Sequence, residues 1–168
     1  NDLFLDEISK DILSLEKRGI KTLIVSSGAI ELGKIDLNKS KNKLNLSESQ
    51  AASSIGQIKL INAWKIALKK FGLNAAQILI TAEDTENRKR FLNARSTIEE
   101  LIEEKYIPVI NENDTVATSE IKYGDNDRLA ARIAGMVSAD CLIILSNVDG
   151  LFDTNPSDIN AKLIKNVK

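Results

Sequence analysis

Leu5, Ile8, Ile12 and Leu15 recur at intervals of three and four, the spacing that lines one face of an α-helix, and Gly19 follows where such a helix would stop. The run Thr22-Leu-Ile-Val25 is continuous and β-branched, which predicts a strand covered on both faces. It ends at Ser26-Ser27-Gly28, before another helix begins at Ala29-Ile30. Residues 34–46 are rich in Lys, Asn and Ser and predict an exposed connection. Ser47 with Gln50 three residues on fits a capping box and opens a helix reaching Phe71. Ile55, Ile58, Ile61, Trp64 and Leu68 form its expected buried stripe, and Gly72 is its stop. Beyond it the pattern predicts a strand at 77–80, helix over 83–104, a strand at 107–110, helix over 126–138 and a strand at 141–145.

Helices interleaved with short apolar strands predict an α/β sandwich with a mainly parallel sheet, because parallel neighbours need crossover helices. At 168 residues and 43% hydrophobic, the chain has the size of one domain or a large part of one. In such sheets ligands bind beyond the carboxyl ends of the strands. The residues to weigh are therefore Ser26-Ser27-Gly28-Ala29, Thr81-Ala82-Glu83-Asp84, Asn111-Glu112-Asn113-Asp114 and Ser146-Asn147-Val148-Asp149-Gly150. Each has an ordinary turn or cap composition when taken alone. Four of them on one sheet edge point to a site.

Composition removes several function classes. Charged residues make up 28% and nearly cancel, leaving a net charge of -1, so no basic surplus points to nucleic acid or an acidic membrane. The sequence has neither an apolar stretch long enough to span a bilayer nor a secretory leader pattern, and the cytoplasm is the expected location. Histidine is absent, which excludes Ser-His triads, imidazole proton shuttles and most zinc sites. Cys141 has no partner for a disulfide within the chain, and its place in an apolar run predicts burial.

Ser27-Gly28 at a strand-to-helix turn offers a hydroxyl and unpaired backbone N–H groups at a helix N-terminus, where an anion is favoured. Neither a G-x-G-x-x-G fingerprint nor a G-x-x-x-x-G-K-[ST] loop accompanies it. Gly124-Asp125-Asn126-Asp127 opens the helix that carries Leu129, Ala130 and Ile133. Helix capping accounts for one of its acidic side chains and leaves the other unexplained, together with Asn126. Asp114 lies a short way upstream and reaches the same edge if the connection is a short hairpin.

The segments Ile24-Val-Ser-Ser-Gly-Ala-Ile30, Glu86-Asn-Arg-Lys-Arg-Phe-Leu-Asn-Ala-Arg95, Pro108-Val-Ile-Asn-Glu-Asn-Asp114 and Gly124-Asp-Asn-Asp127, in this order, resemble the glutamate 5-kinases of the amino acid kinase family. The resemblance covers nearly the whole chain, and the last two segments are its specific part. It implies a three-layer α/β/α sandwich, the amino acid kinase fold. The implied activity is ATP-dependent phosphorylation of the glutamate γ-carboxylate to glutamyl 5-phosphate, the first step of proline biosynthesis, with Mg²⁺. Under the same resemblance Ser27, Gly28, Asp114 and Asn126 bind glutamate, and Asp114 receives its α-ammonium, for which an ionised carboxylate is the natural partner. Asp127 is the catalytic position that orients the family's lysines, and Ser146 and Asn147 adjoin the nucleotide, although Asn147 stands where the family more often has Asp. No residue is assigned as a protein ligand for metal.

That chemistry suits a chain without histidine. A glutamate γ-carboxylate, with a reference pKa of about 4.3, is ionised at neutral pH and needs no general base to attack phosphorus. Phosphoryl transfer then depends on in-line positioning and cationic stabilisation. The family's phosphate-contacting lysines belong to an N-terminal Lys-x-Gly strand and a C-terminal Gly-rich segment. Residues 1–168 contain neither, so they are expected to be an excerpt of the kinase domain, incomplete at both ends.

The resemblance further implies proline as a feedback inhibitor competing in the glutamate pocket, and a homo-oligomer, dimer or tetramer. It places 86–95 near the subunit interface with Phe91, Leu92 and Ile98 as apolar anchors; the other reading of that helix is a solvated face with i,i+4 pairs. Two alternatives to the kinase reading stay open: a non-catalytic glutamate- or proline-binding sensor, and another kinase of the same fold.

Overall fold

The strand β3 (Tyr106–Glu112) is the centre of the molecule, and its side chains feed two separate cores. A computed structural model of the chain describes residues 2–39, 43–116, 125–146 and 148–166. Successive side chains on a strand point to opposite faces. Ile107 and Val109 accordingly join Ile12, Ala29, Leu60, Trp64 and Leu68 on one side. Ile110 joins Ile80, Ile98, Leu129, Ile133 and Met136 on the other.

The first core is covered by α1 (Asp2–Lys17), α2 (Ala29–Asp36) and α3 (Leu46–Lys70). The second is covered by α5 (Arg88–Glu103) and α6 (Asp125–Met136), with the short α4 (Ala82–Glu86) beside them. Helices on both faces of the sheet make the three layers that the resemblance implied.

Among the described residues the sheet has the order β1-β3-β2, with β1 at Ile24–Val25 and β2 at Asn74–Ile80, and every pairing is parallel. Ile24 faces Val109, and β2 runs in register from Asn74 opposite Tyr106 to Ile80 opposite Glu112. Parallel pairing brings the carboxyl ends together. The Ser26 N–H donates to the Ile110 carbonyl at 2.8 Å and the Asn113 N–H to the Ile80 carbonyl at 3.0 Å, so the turns after all three strands share one edge.

Several sequence expectations are corrected. The capping box of α3 uses Asn45 and Glu48, not Ser47 and Gln50: the Glu48 N–H donates to Asn45 Oδ1 at 2.9 Å and the Asn45 N–H to Glu48 Oε2 at 3.0 Å. Lys39 pairs with the Glu48 carboxylate from outside. The buried face of α3 is also rotated from the expected one. Ile58 is 71% exposed, while Ala52, Ser53, Gly56 and Gln57 are buried together with Leu60, Trp64 and Leu68.

Glycine explains the rotation. A Cβ on Gly56 would stand 1.8 Å from the Ala29 carbonyl oxygen, and one on Gly33 would stand 1.8 Å from that of Ala52. The helices α2 and α3 therefore cross backbone to backbone, and the small-residue face must point inward.

The helix expected over 83–104 is two helices. Asn87 breaks it, because its side-chain oxygen accepts from the Lys89 N–H at 3.1 Å and the Arg90 N–H at 3.2 Å, capping α5. Phe91 and Ile98 pack into the second core and so do not serve as outward anchors; of the three expected, only Leu92 is exposed.

The run 141–145 forms no strand, and Cys141 is exposed instead of buried. A continuous apolar run carries no period of its own, and pairing with a neighbour is what makes it a strand. No described strand pairs with this one. Among the described residues no helix is long and apolar enough to cross a membrane.

Candidate functional site

The shared strand edge collects a chain of buried and part-buried polar groups. Asn111, the penultimate residue of β3, is 3% exposed, and its Nδ2 donates to Gln57 Oε1 of α3 at 2.7 Å. From the other side Asn126 Nδ2, on the first turn of α6, reaches Asn111 Oδ1 and the Ser26 carbonyl, both at 3.3 Å. Ser26 is fixed in turn by Trp64, whose Nε1 donates to Ser26 Oγ at 2.9 Å. Helices on opposite faces of the sheet are thus tied through one asparagine. Arg132 adds a second tie between α6 and α4, donating to Thr85 Oγ1 at 2.7 Å and Glu86 Oε1 at 2.9 Å.

Buried amides are costly to leave unpaired. Gln57→Ala would strand the Asn111 donor, and a loss of about 2 kcal/mol in unfolding free energy is expected from urea titration of the full-length polypeptide. A loss below about 0.5 kcal/mol would mean that solvent replaces Gln57.

Asp114 closes the edge next to α3. It is 6% exposed, and Ser53 Oγ donates to its Oδ2 at 2.5 Å. Burial pushes the Asp114 carboxyl above its ordinary value, and the Ser53 hydroxyl opposes that rise only in part. A buried carboxylate held in this way favours a cation beside it. Asp114 lines an open cleft of about 300 Å³ together with Ser53, Gln57, Glu112, Asn113 and Thr115, walled on its apolar side by Ile58, Ile61 and Leu79. The cleft has room for a small ligand bearing an ammonium group.

Each predicted site residue has a definite place, with one exception. Asn126 and Asp114 belong to the buried edge just described. Ser27 and Gly28 are exposed at the start of α2, where Gly28 takes the left-handed conformation with φ of 101° and no side chain caps the helix. The N–H groups of that first turn are therefore open to an anion. Asp127 is exposed on the first turn of α6, one residue from Asn126. Ser146 lies on the exposed irregular stretch, outside the hydrogen-bonded edge. Asn147 falls outside the described residues, as does Gly124.

Asn111 belongs to one of the four strand-end segments weighed in the sequence, whereas Ser53 and Gln57 did not stand out as site residues. Ser53 and Gln57 sit inside a long helix without any motif, and only their spacing of four, one residue out of step with Ala52 and Gly56, puts them on an inner face.

Divalent metal is tested by the donors present. Among the described residues no three His, Cys, Asp or Glu side chains group closely enough to hold an ion. Mg²⁺ commonly keeps several waters and is bound by one or two carboxylates plus substrate phosphates.

A model of the amino acid kinase family matches residues 1–168. Glutamate 5-kinase of Bradyrhizobium diazoefficiens is 55% identical over 162 residues, covering 96% of this chain and 43% of that protein. Glutamate 5-kinase 1 of Mesorhizobium japonicum is 55% identical with the same coverage, 96% and 43%. Glutamate 5-kinase of Pelagibacter ubique is 53% identical over 166 residues, 98% of this chain and 45% of that protein. The chain spans less than half the length of the curated relatives it matches.

Proposed function

We propose, given that this chain belongs to the amino acid kinase family, that it is the substrate-recognising part of an enzyme that phosphorylates the γ-carboxylate of glutamate with ATP. The observation that carries the reading is Asp114, a buried carboxylate held by Ser53 that lines a cleft of about 300 Å³ beside the polar strand edge. The names of relatives that are 53–55% identical along nearly the whole chain support it.

In this reading the substrate's α-ammonium meets Asp114, while Ser27, Gly28 and Asn126 hold its carboxylates by donated hydrogen bonds. The opened N-terminus of α2 supplies partial positive charge for the same purpose. The γ-carboxylate oxygen then forms a bond to the γ-phosphorus of ATP as the bond to the ADP oxygen breaks, giving the acyl phosphate glutamyl 5-phosphate. No proton has to be removed from the nucleophile. Asp127, one residue from Asn126, orients the lysines that neutralise the transferring phosphoryl group, and those lysines come from other parts of the polypeptide. Ser146 and Asn147 adjoin the nucleotide. Mg²⁺ arriving with the nucleotide would supply further charge neutralisation.

Placement in proline biosynthesis, proline inhibition by competition at the glutamate pocket, a homo-oligomer and a cytoplasmic location complete the proposal. Full-length polypeptide is expected to release ADP only when glutamate is present, and to yield a hydroxamate when hydroxylamine traps the acyl phosphate. Glutamate binding by calorimetry without either product would replace the kinase with a sensor. ADP release driven by another carboxylate or phosphate acceptor would point to a different kinase of this fold.

A further inference from the structure

Gly56 and Gly33 let α3 lie against the backbone of α2, and the residues next to the contact points on α3 do something else. Ala52 touches α2 while Ser53 reaches Asp114; Gly56 touches α2 while Gln57 reaches Asn111. One stretch of helix thus meets the uncapped helix α2 on one side and the buried carboxylate on the other. Ser53 is 3% exposed and cannot be a surface hydroxyl that happens to lie nearby.

We propose that Ser53 is a positioning residue for amino-acid recognition: it holds Asp114 Oδ2 from α3, and thereby fixes the carboxylate so that Oδ1 meets the ligand's ammonium. The inference rests on the reading that Asp114 binds that ammonium. A carboxylate with one oxygen tied loses most of its rotational freedom before the ligand arrives, so less ordering is left to be done on binding. A charge-assisted O–H···O⁻ bond is also the kind that favours the ionised form.

Among the described residues, the groups lining the cleft with Asp114 leave few other sources for that preference. From α3 come Ser53 and Gln57, and from β2 Gln77 and Leu79 line the same cleft. On its own segment stand Glu112, Asn113 and Thr115. Among the described residues Glu112 is the other titratable side chain lining the cleft. Ser53 is the one described side chain that hydrogen-bonds the Asp114 carboxylate.

The test compares full-length wild type, Ser53→Ala, and Thr97→Ala as a control that removes an exposed helical hydroxyl donating to the Asn93 carbonyl. Steady-state kinetics, glutamate calorimetry and the carboxyl titration of carbon-13-labelled Asp114 are read on each. Ser53→Ala is expected to raise KM for glutamate roughly tenfold, leave kcat within about twofold and KM for ATP unchanged, and move the Asp114 titration to higher pH. Thr97→Ala should match wild type in all of these.

An unmoved Asp114 titration overturns the inference, as does a rise in KM for both substrates together, which would signal general loosening. If wild type binds glutamate without turning it over, the kinase reading fails, while calorimetry and the titration still decide the role of Ser53. If wild type binds no glutamate at all, both fall.

Discussion

Asp114→Asn is expected to cost a hundredfold or more in glutamate affinity while leaving the ligand-free protein as stable as before, or more so. The two effects come from the same carboxylate. Asn has nearly the same shape, and its Oδ1 can still accept the Ser53 hydroxyl, so packing and that hydrogen bond survive. What disappears is a negative charge at a site 6% exposed, and removing a buried charge that has no counter-ion among the described residues relieves a desolvation cost. For the ligand the sign is opposite. An ammonium brought into the site would find a neutral amide, and losing one member of a desolvated charge pair costs about 3 kcal/mol, or more than a hundredfold in Kd.

The pH dependence separates this explanation from a generic stabilisation. Because burial raises the Asp114 carboxyl in the folded state, the folded protein holds that proton more tightly than the unfolded chain does. Wild type is therefore favoured at low pH and loses that contribution as pH rises through the folded-state value. The Asn variant has no such loss. The Tm difference should be small below about pH 4, near the ordinary Asp value, and should grow in favour of Asn toward neutrality. Glutamate should raise the Tm of wild type by mass action and leave the variant unmoved. An Asn variant that melts lower at neutral pH, or that still binds glutamate like wild type, would contradict the role given to Asp114.

Much of the fold could be read from the chain, and the misreadings have a common origin. The helix face of Ile8 and Ile12, the strand at Ile107 to Ile110 and the helix with Leu129 and Ile133 each carry a period that one amphipathic element creates by itself. What the pattern could not carry was information held by a second element. The face of α3 turned inward because Gly33 on α2 admits it closely, and an apolar stripe drawn through Ile58 had no means of showing that. The run at 141–145 has the composition of a strand, but a ladder needs a partner. Asn87 could have been recognised: an Asn in a helical pattern competes for the backbone, and here it ends one helix and caps the next.

The site divides along the same line. Asp114, Asn126 and Ser27 follow strands or open helices, where polar residues on a parallel sheet edge are visible in one dimension. Ser53 and Gln57 hold Asp114 and Asn111 across 61 and 54 residues of sequence, and their partners become evident only when α3 is docked.

That docking can be tested with two glycines of opposite consequence. Gly56→Ala is expected to destabilise the full-length polypeptide by about 3 kcal/mol, while Gly135→Ala should stabilise it by about 0.5 kcal/mol. Both lie in helices, where replacing Gly by Ala relieves a conformational cost of up to about 1 kcal/mol. Around Gly135 nothing stands within 4 Å of the added carbon, so only that gain remains. At Gly56 the new Cβ would lie 1.8 Å from the Ala29 oxygen, 2.6 Å from the Gly33 nitrogen and 2.8 Å from the Ala29 carbon. All three are backbone atoms, so no rotamer change relieves the clash and the two helices must part. Parting them opens a core in which Ala29 and Ala52 are almost fully buried, and it displaces Ser53 from the cleft and from Asp114. The destabilised variant should therefore lose glutamate affinity even at temperatures where it remains folded, with urea titration and calorimetry reading the two losses separately. Equal stability of the Gly56 and Gly135 variants would show that α2 and α3 do not meet at this crossing.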